Sequence, residues 1–447
     1  MNRREFLQKA GLSTAGIMIG GMGLSAESYA KVIGSNSRVN VGVVGFSNRF
    51  KSLLPAFMVN NQQQNFDIIG VSDIWRLRRE EGKSVLENAM KHKIRTYINN
   101  DKLYDDKAID AVIISTADFQ HALHVKEAAE NGKDAYVEKP FAETMADARA
   151  ARAAIEKSGI IVQVGSQRRS APNYHAAKDY IDSGKFGDIV MVEMTWNVNQ
   201  PARWRRFDEV KLLKEEDTDW ERFLMNRPYQ PFDPRKYLEF RLFWPFSSGI
   251  PGQWMAHQID TVHWFSGYDY PRSVAANGGI YLWKDGRTNY DTMTAVLDYG
   301  PADDLTKGFQ VQYSSRFTNS AGGVKEIYYS NGGELNLATN KVTPNGGLGA
   351  RDAAAAGLSE NKLETFVLPD EKIETAANTG GDRMTTAHML NWMECVRSRK
   401  QPNASYLAGY NHSIACIMVT AALRTHEYTV FDPVTQEVMA GGKVFQY

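Results

Sequence analysis

At 447 residues the chain is too long for one hydrophobic core, so two domains are expected. Hydrophobic residues make up 43% and charged residues 23%, as in ordinary globular enzymes. Lys plus Arg and Asp plus Glu balance at 52 each, which excludes a strong net field toward nucleic acid or an anionic membrane.

Residues 1–30 read as an address rather than as part of the fold. Asn2-Arg3-Arg4-Glu5-Phe6-Leu7 resembles a twin-arginine export signal, and an apolar Gly/Ala/Met-rich stretch follows to about Leu24. Ser28-Tyr29-Ala30 then supplies small residues for cleavage. The stretch is short for a bilayer span and broken by glycines, so no membrane anchor is expected after its removal. The resemblance implies a periplasmic protein that is exported folded, with a cofactor loaded beforehand and held tightly.

A dinucleotide-binding domain is expected over residues 36–160. Val39 to Val44 is a β-rich apolar run ending at Gly45, and a helix-like stretch follows through Leu53, Leu54 and Phe57. Strand, tight turn and helix are the context in which a G-x-G-x-x-G fingerprint has meaning, but only Gly45 survives of the three glycines. Ser47 and Phe50 stand in the other two places. Gly45, Phe46, Ser47, Asn48 and Arg49 are the candidate pyrophosphate turn. The next strand, Asp67 to Ser72, runs into Asp73, an acid placed to meet ribose hydroxyls, which favours NAD. Arg76, Arg78 and Arg79 follow; they can serve the extra phosphate of NADP or be a solvated helix start, so NADP is not excluded.

Ile109 to Thr116 is a buried-strand pattern ending in Thr116-Ala117-Asp118-Phe119-Gln120-His121. A further strand at Asp134 to Val137 leads into Glu138-Lys139-Pro140. Ile160 to Val164 reads as another strand and ends in Gly165-Ser166-Gln167-Arg168-Arg169. Beyond residue 161 the pattern changes to longer β-type runs: Ile189 to Trp196, Thr292 to Asp298, Phe309 to Phe317 and Glu326 to Leu337. Ser330-Asn331-Gly332-Gly333 reads as a hairpin turn between two of the strands. Gly346 to Gly357 reads as a loop, and Met384 to Ser398 and Ser413 to Leu423 as closing helices. The fold class is therefore α/β: an N-terminal Rossmann domain plus a C-terminal α+β domain, 161–447, with a large, mostly antiparallel open sheet. Cys395 and Cys416 read as buried free thiols.

If Gln253 to Trp264 is helical, Gln253, His257, Asp260 and Trp264 share one face. His263 turns off that face, so a metal site with His257 and Asp260 is not expected. The order of these segments resembles the Gfo/Idh/MocA family (glucose–fructose oxidoreductase and inositol dehydrogenase), through its T-P-x-x-x-H turn, E-K-P tripeptide, G-x-Q-x-R segment and D-x-x-x-H-x-x-D helix. Here alanine replaces the turn proline and Gln253 the first acid of the helix, which puts an Asp-assisted proton relay in doubt. The resemblance implies hydride exchange between NAD and a secondary hydroxyl of a sugar or glycoside, with C3 a candidate carbon. His257 would be the base, Lys139 would position the hydroxyl, and Asp260 would assist. Thr116, His121, Glu138 and Gln167 would join the cofactor site, and Gln253 the substrate site. Arg168, Arg169, Trp196, Trp204 and Tyr237 are placed in the sugar pocket by position along the chain alone. The family also implies a homo-oligomer. Two rival functions remain: a glycosidase with internal hydride cycling, as in nicotinamide-dependent α-N-acetylgalactosaminidases, and a non-catalytic nucleotide-bound sensor.

Overall fold

The computed structural model describes residues 37–369 and 382–446; the export-signal reading falls on residues outside these. Strands and helices alternate through the first domain: β1 (Val39–Val44), α1 (Asn48–Gln64), β2 (Phe66–Ser72), α2 (Arg76–Met90), β3 (Arg95–Tyr97) and α3 (Asn100–Asp105). Then come β4 (Ala111–Ile114), α4 (His121–Glu130), β5 (Asp134–Val137), α5 (Met145–Ser158) and β6 (Val162–Val164). All six strands pair in parallel in the order β3-β2-β1-β4-β5-β6. That is the doubly wound Rossmann order, whose crevice opens at the carboxyl ends of β1 and β4. Val41, Val43, Ile113 and Val137 are fully buried, as expected of strands covered by helices on both faces.

The domain boundary differs from the sequence reading in two ways. β6, assigned there to the second domain, pairs with β5 and completes the first sheet. The chain also returns to this domain near its end. After α6 (Pro172–Asp182), α7 (Ala256–Ser266) and most strands of the second domain, helix α8 (Arg383–Ser398) packs on α1. Met389, Trp392 and Met393 of α8 share a core with Phe57 and Phe66. An apolar helix face seen in sequence does not say which sheet it covers.

The second domain is an eleven-stranded sheet in the order β14-β13-β12-β11-β7-β10-β9-β8-β15-β16-β17. Its strands are β7 (Met191–Asn197), β8 (Ser273–Gly279), β9 (Thr292–Tyr299), β10 (Phe309–Arg316), β11 (Val324–Ser330), β12 (Gly333–Asn336), β13 (Lys341–Thr343) and β14 (Phe366–Val367). After helix α9 (Tyr406–Thr425), β15 (Thr429–Asp432), β16 (Glu437–Ala440) and β17 (Lys443–Val444) extend the edge. Every pairing is antiparallel except β7 with β10. Alternation along β9 and β10 sends Met293, Ala295, Leu297, Val311 and Tyr313 inward. The almost wholly buried α9 packs on this sheet at β8, at the strand Thr429–Asp432 and at the strand Glu437–Ala440, and also reaches α5 and α7. The stretch read as a loop at 346–357 contains a short helix, Ala350–Ala355. Cys395 and Cys416 are both buried and free. Among the described residues no helix is long and apolar enough to cross a membrane.

Candidate active site

A cavity of about 700 Å³ opens where the carboxyl ends of the parallel strands meet the second domain. Its size falls within the range of roughly 300–1,000 Å³ usual for small-molecule sites. The sequence closes its floor as follows. β1 ends in Gly45 at φ +83°, where an added Cβ would come within 2.9 Å of Thr116 Cγ2. Glycine is needed there for the positive φ and for the close approach. Ser47 then caps the 17-residue α1, its hydroxyl accepting from Phe50 N at 3.2 Å. No acid stands in the first turn, so the N-terminus of α1 offers N–H groups and a positive dipole end beside Ser47, Asn48 and Arg49 in the cavity wall. The missing third glycine is explained by its replacement: Phe50 is core and packs on Phe46 at 5.5 Å. Close packing has moved to Gly82 of α2, where a Cβ would meet the Phe46 ring at 2.8 Å. Phe46 itself contributes only backbone: its N–H donates to Asp73 Oδ2 at 2.9 Å.

Asp73 lines the cavity and accepts also from Trp75 N at 2.9 Å and the Tyr237 hydroxyl at 3.2 Å. Burial raises the pKa of its carboxyl, with Arg78 opposing. Arg78 lines the cavity and is paired with Glu209, whereas Arg76 pairs with Asp217 at the surface and Arg79 donates to the Asp73 carbonyl. Across the floor, Thr116 Oγ1 is buried with no hydrogen-bond partner. His121 places Nδ1 2.7 Å from the Pro140 carbonyl, which puts the proton on that nitrogen. Burial lowers the His121 pKa, and its Nε2 is left buried and without a partner. Burial alone would raise the pKa of the Glu138 carboxyl, but Arg49 at 2.7 Å outweighs it and holds it below the usual range. These groups fit a dinucleotide: a backbone cradle at Gly45, an anion-binding helix end, a ribose-facing acid and buried polar atoms awaiting partners.

Lys139 also lines the cavity. Its ammonium donates to the Gln253 carbonyl at 2.5 Å. Burial pushes its pKa down to about 8, with Asp118 and Glu138 opposing. Gln253 sits in a π-helical turn, Pro251–Met255, that precedes α7 and displaces the straight helix expected from sequence. Its side chain donates to Asp118 Oδ2 at 2.6 Å and accepts from Arg241 Nε at 2.7 Å. His257, on the first turn of α7, lines the cavity with Nε2 buried and unpartnered. Burial, then the nearby cations Lys139, Arg168 and Arg49, hold its pKa well below the usual imidazole range, so the ring is neutral.

Several residues assigned to the site from the sequence lie behind it. Trp196 is stacked between Trp254 and His257, each with rings at 5.8 Å, and supports the imidazole from below rather than facing the cavity. Arg168 is buried in an ion pair with Glu326. Arg169 pairs with Asp260 at 2.7 Å. Asp260 therefore faces Arg169 and His412, away from the cavity; burial opposes its ionisation, yet these two bring its pKa down to about 2. Gln167 is buried behind Glu138, donating to it at 3.2 Å and to the Tyr136 hydroxyl at 2.9 Å. Tyr237 stands beside Asp73, and Trp204 is in the wall. The sequence reading missed Arg203, Arg206, Arg241 and Trp254, all in the wall. Three of the four lie between residues 197 and 250, where short turns leave no periodicity to read. Among the described residues no cluster of three or more His, Cys, Asp or Glu is placed to hold a metal.

The fold and cavity define a two-domain α/β protein with a dinucleotide site at the switch point of its parallel sheet. Residues 39–166 match the GFO_IDH_MocA family, described as "Oxidoreductase family, NAD-binding Rossmann fold", and form its NAD-binding domain. Over 86 residues, 19% of the chain, it is 42% identical to scyllo-inositol 2-dehydrogenase (NAD(+)) of Bacillus subtilis (strain 168), covering 25% of that protein. It is 30% identical over 185 residues, 39% of the chain, to Oxidoreductase P35 of Formosa agariphila, covering 54% of that protein. The chain thus spans between a quarter and about half the length of these relatives. Among solved structures it resembles levoglucosan dehydrogenase in complex with NADH and levoglucosan, with a TM-score of 0.63 at 15% identity, covering 88% of this chain and 99% of that one. It also resembles apo scyllo-inositol dehydrogenase from Lactobacillus casei, with a TM-score of 0.60 at 15% identity, covering 88% and 98% of the two chains. At such identities the likeness is one of fold, and it extends through both domains.

Proposed function

We propose that the protein is an NAD-dependent dehydrogenase acting on a secondary hydroxyl of a sugar or related polyol. The observation that carries this is the placement of Lys139, with a pKa near neutrality, and the unpartnered Nε2 of His257 in the same cavity as the α1 N-terminus. Ser47, Asn48 and the α1 N–H groups would hold the pyrophosphate of NAD, Asp73 a ribose, and Thr116 and His121 the nicotinamide half. Bound NAD would supply the acceptor for the carbinol hydrogen. The neutral amine of Lys139 takes the hydroxyl proton, because a group with a pKa near working pH exchanges protons most effectively. The ammonium so formed then stabilises negative charge on the same oxygen. His257, neutral and clamped by Trp196, accepts a hydrogen bond from the substrate and orients it; its depressed pKa makes it the weaker base, which reverses the roles expected from sequence. Gln253 cannot exchange a proton and instead holds Lys139 through its carbonyl.

We further read residues 1–30 as an export signal, which would place the enzyme in the periplasm with its nicotinamide aboard. The functional reading is tested by supplying NAD and a panel of hexosides, inositols and uronides while following reduced nicotinamide by its near-ultraviolet absorbance. Turnover by the wild type that is lost in Lys139→Ala supports it. Release of phenol from nitrophenyl glycosides without net nicotinamide reduction would replace it with the glycosidase reading.

A further inference from the structure

The cavity wall holds more positive charge than a neutral sugar and a dinucleotide call for. Arg203, Arg206 and Arg241 all face it. Arg206 is partly committed: it donates to the Arg205 carbonyl at 3.0 Å and lies 4.0 Å from Glu209. Arg203 and Arg241 make no ion pair among the described residues. Arg203 donates only to the Gln200 side chain at 3.0 Å and lies over the Trp254 ring at 5.7 Å. Arg241 donates Nε to Gln253 Oε1 and stacks on Phe240 at 4.5 Å.

Most carboxylates around them are engaged in ion pairs; Asp118 is not, and its charge favours the Arg241 cation. Glu138 is held by Arg49, Glu209 by Arg78, and Glu239 by Arg205 and Arg235. Asp118 lies behind Gln253 and accepts from Gln253 and Ser247. Burial, then Arg241 and Arg206, push the Arg203 pKa down to about 10, as repelling cations without a counter-ion require. Holding the Arg203 guanidinium beside Arg241 and Arg206 in one partly dry wall costs free energy unless a ligand supplies a further anion.

Two observations separate this charge from the cofactor's pyrophosphate. The pyrophosphate has its own site at Gly45, Ser47 and the α1 N-terminus. Arg241, in contrast, grips the side chain of Gln253, whose carbonyl holds Lys139. Arg203 lies on Trp254, which stacks on Trp196 and so joins the layer under His257.

Resting on the dehydrogenase reading above, we propose that Arg203 and Arg241 form an anion subsite beside the reacting hydroxyl, and that the sugar acted on carries a carboxylate, as a uronic acid does. A guanidinium pair matches a carboxylate in geometry as well as charge.

The test is calorimetric titration of NADH-loaded protein, which cannot oxidise the ligand, with methyl glucuronide and methyl glucoside as matched probes. The wild type is expected to bind the uronide tighter by about tenfold or more, since hydrogen bonds to charged groups each contribute in that range. Arg203→Gln and Arg241→Gln, each checked for cooperative unfolding, should bring the two ligands close to equal affinity while NADH affinity is retained. Equal binding of both probes by the wild type overturns the subsite. Loss of NADH affinity with the uronide preference intact would assign the arginines to the cofactor and also overturn it. A gain confined to glucose 6-phosphate overturns the carboxylate. If the wild type prefers the uronide yet reduces no nicotinamide with any sugar, the subsite stands and the dehydrogenase reading falls.

Discussion

Lys139 makes the account quantitative. Its pKa falls from 10.5 to about 8 because burial disfavours the ammonium more than Asp118 and Glu138 favour it. At 1.36 kcal/mol for each pH unit, that fall is roughly 3 kcal/mol against the charged form. With a pKa of about 8, roughly a tenth of the enzyme carries the neutral amine at pH 7. If that amine accepts the hydroxyl proton, kcat/KM for oxidation should rise about tenfold from pH 7 and level off above about pH 9. Lys139→Ala should lower kcat/KM by about 10²- to 10⁴-fold and remove the rise. The sign for stability follows from the same shift. Between about pH 8 and 10.5 the unfolded chain binds more protons than the folded one, so Lys139 makes the wild type gain stability as pH rises through that window. Lys139→Met should lack the gain, as measured by urea unfolding at pH 7.5 and 10. A rate that falls above pH 8, or Lys139→Ala with an unchanged pH profile, would refute the assignment of the proton to this side chain.

Further outcomes follow from the same geometry. His257→Asn should lower kcat by about 10²-fold with cofactor affinity unchanged, because the imidazole, seated on the Trp196 ring, would orient the substrate; steady-state kinetics and NADH titration check this together. Asp73→Ser should narrow the preference for NAD over NADP by removing the carboxylate that repels a 2′-phosphate, read as the ratio of kcat/KM for the two. Gly45→Ala should weaken NAD binding, since the residue holds φ +83° and its Cβ would press on Thr116. Asp260→Asn should act on stability more than on chemistry, costing about 3–5 kcal/mol by leaving Arg169 unpaired. Because the carboxyl titrates near 2 rather than 3.8, its contribution should be present above about pH 4 and fade as pH falls toward 2, which denaturant unfolding across that range will show.

The features legible in sequence were those that are local and periodic. Val39–Val44, Gly45 and Asp73 declare a Rossmann half because strand, turn and acid sit at fixed spacing, and Glu138-Lys139 marks the end of a strand. β3 was missed because Arg95 and Thr96 are exposed, so it has no apolar pattern. Trp196 and Asp260 were misplaced because residue type does not reveal which way a side chain turns. The bend of the π turn before α7 cannot be read from spacing. Arg203 and Arg241 went unseen because a guanidinium becomes informative only when the charges around it are known in space. The proposed split of roles between Lys139 and His257 also needed burial, which lowers both pKa values and leaves the lysine at about 8.

The most direct test of the central claim follows the hydrogen itself. A responding sugar or uronide, deuterated in turn at each carbinol carbon, is oxidised by the NAD-loaded enzyme, and the recovered nicotinamide is weighed by mass spectrometry. Deuterium from one carbinol position should appear in the reduced nicotinamide. Label that stays in the sugar at every position, or passes only to solvent, would contradict a hydride-transferring dehydrogenase.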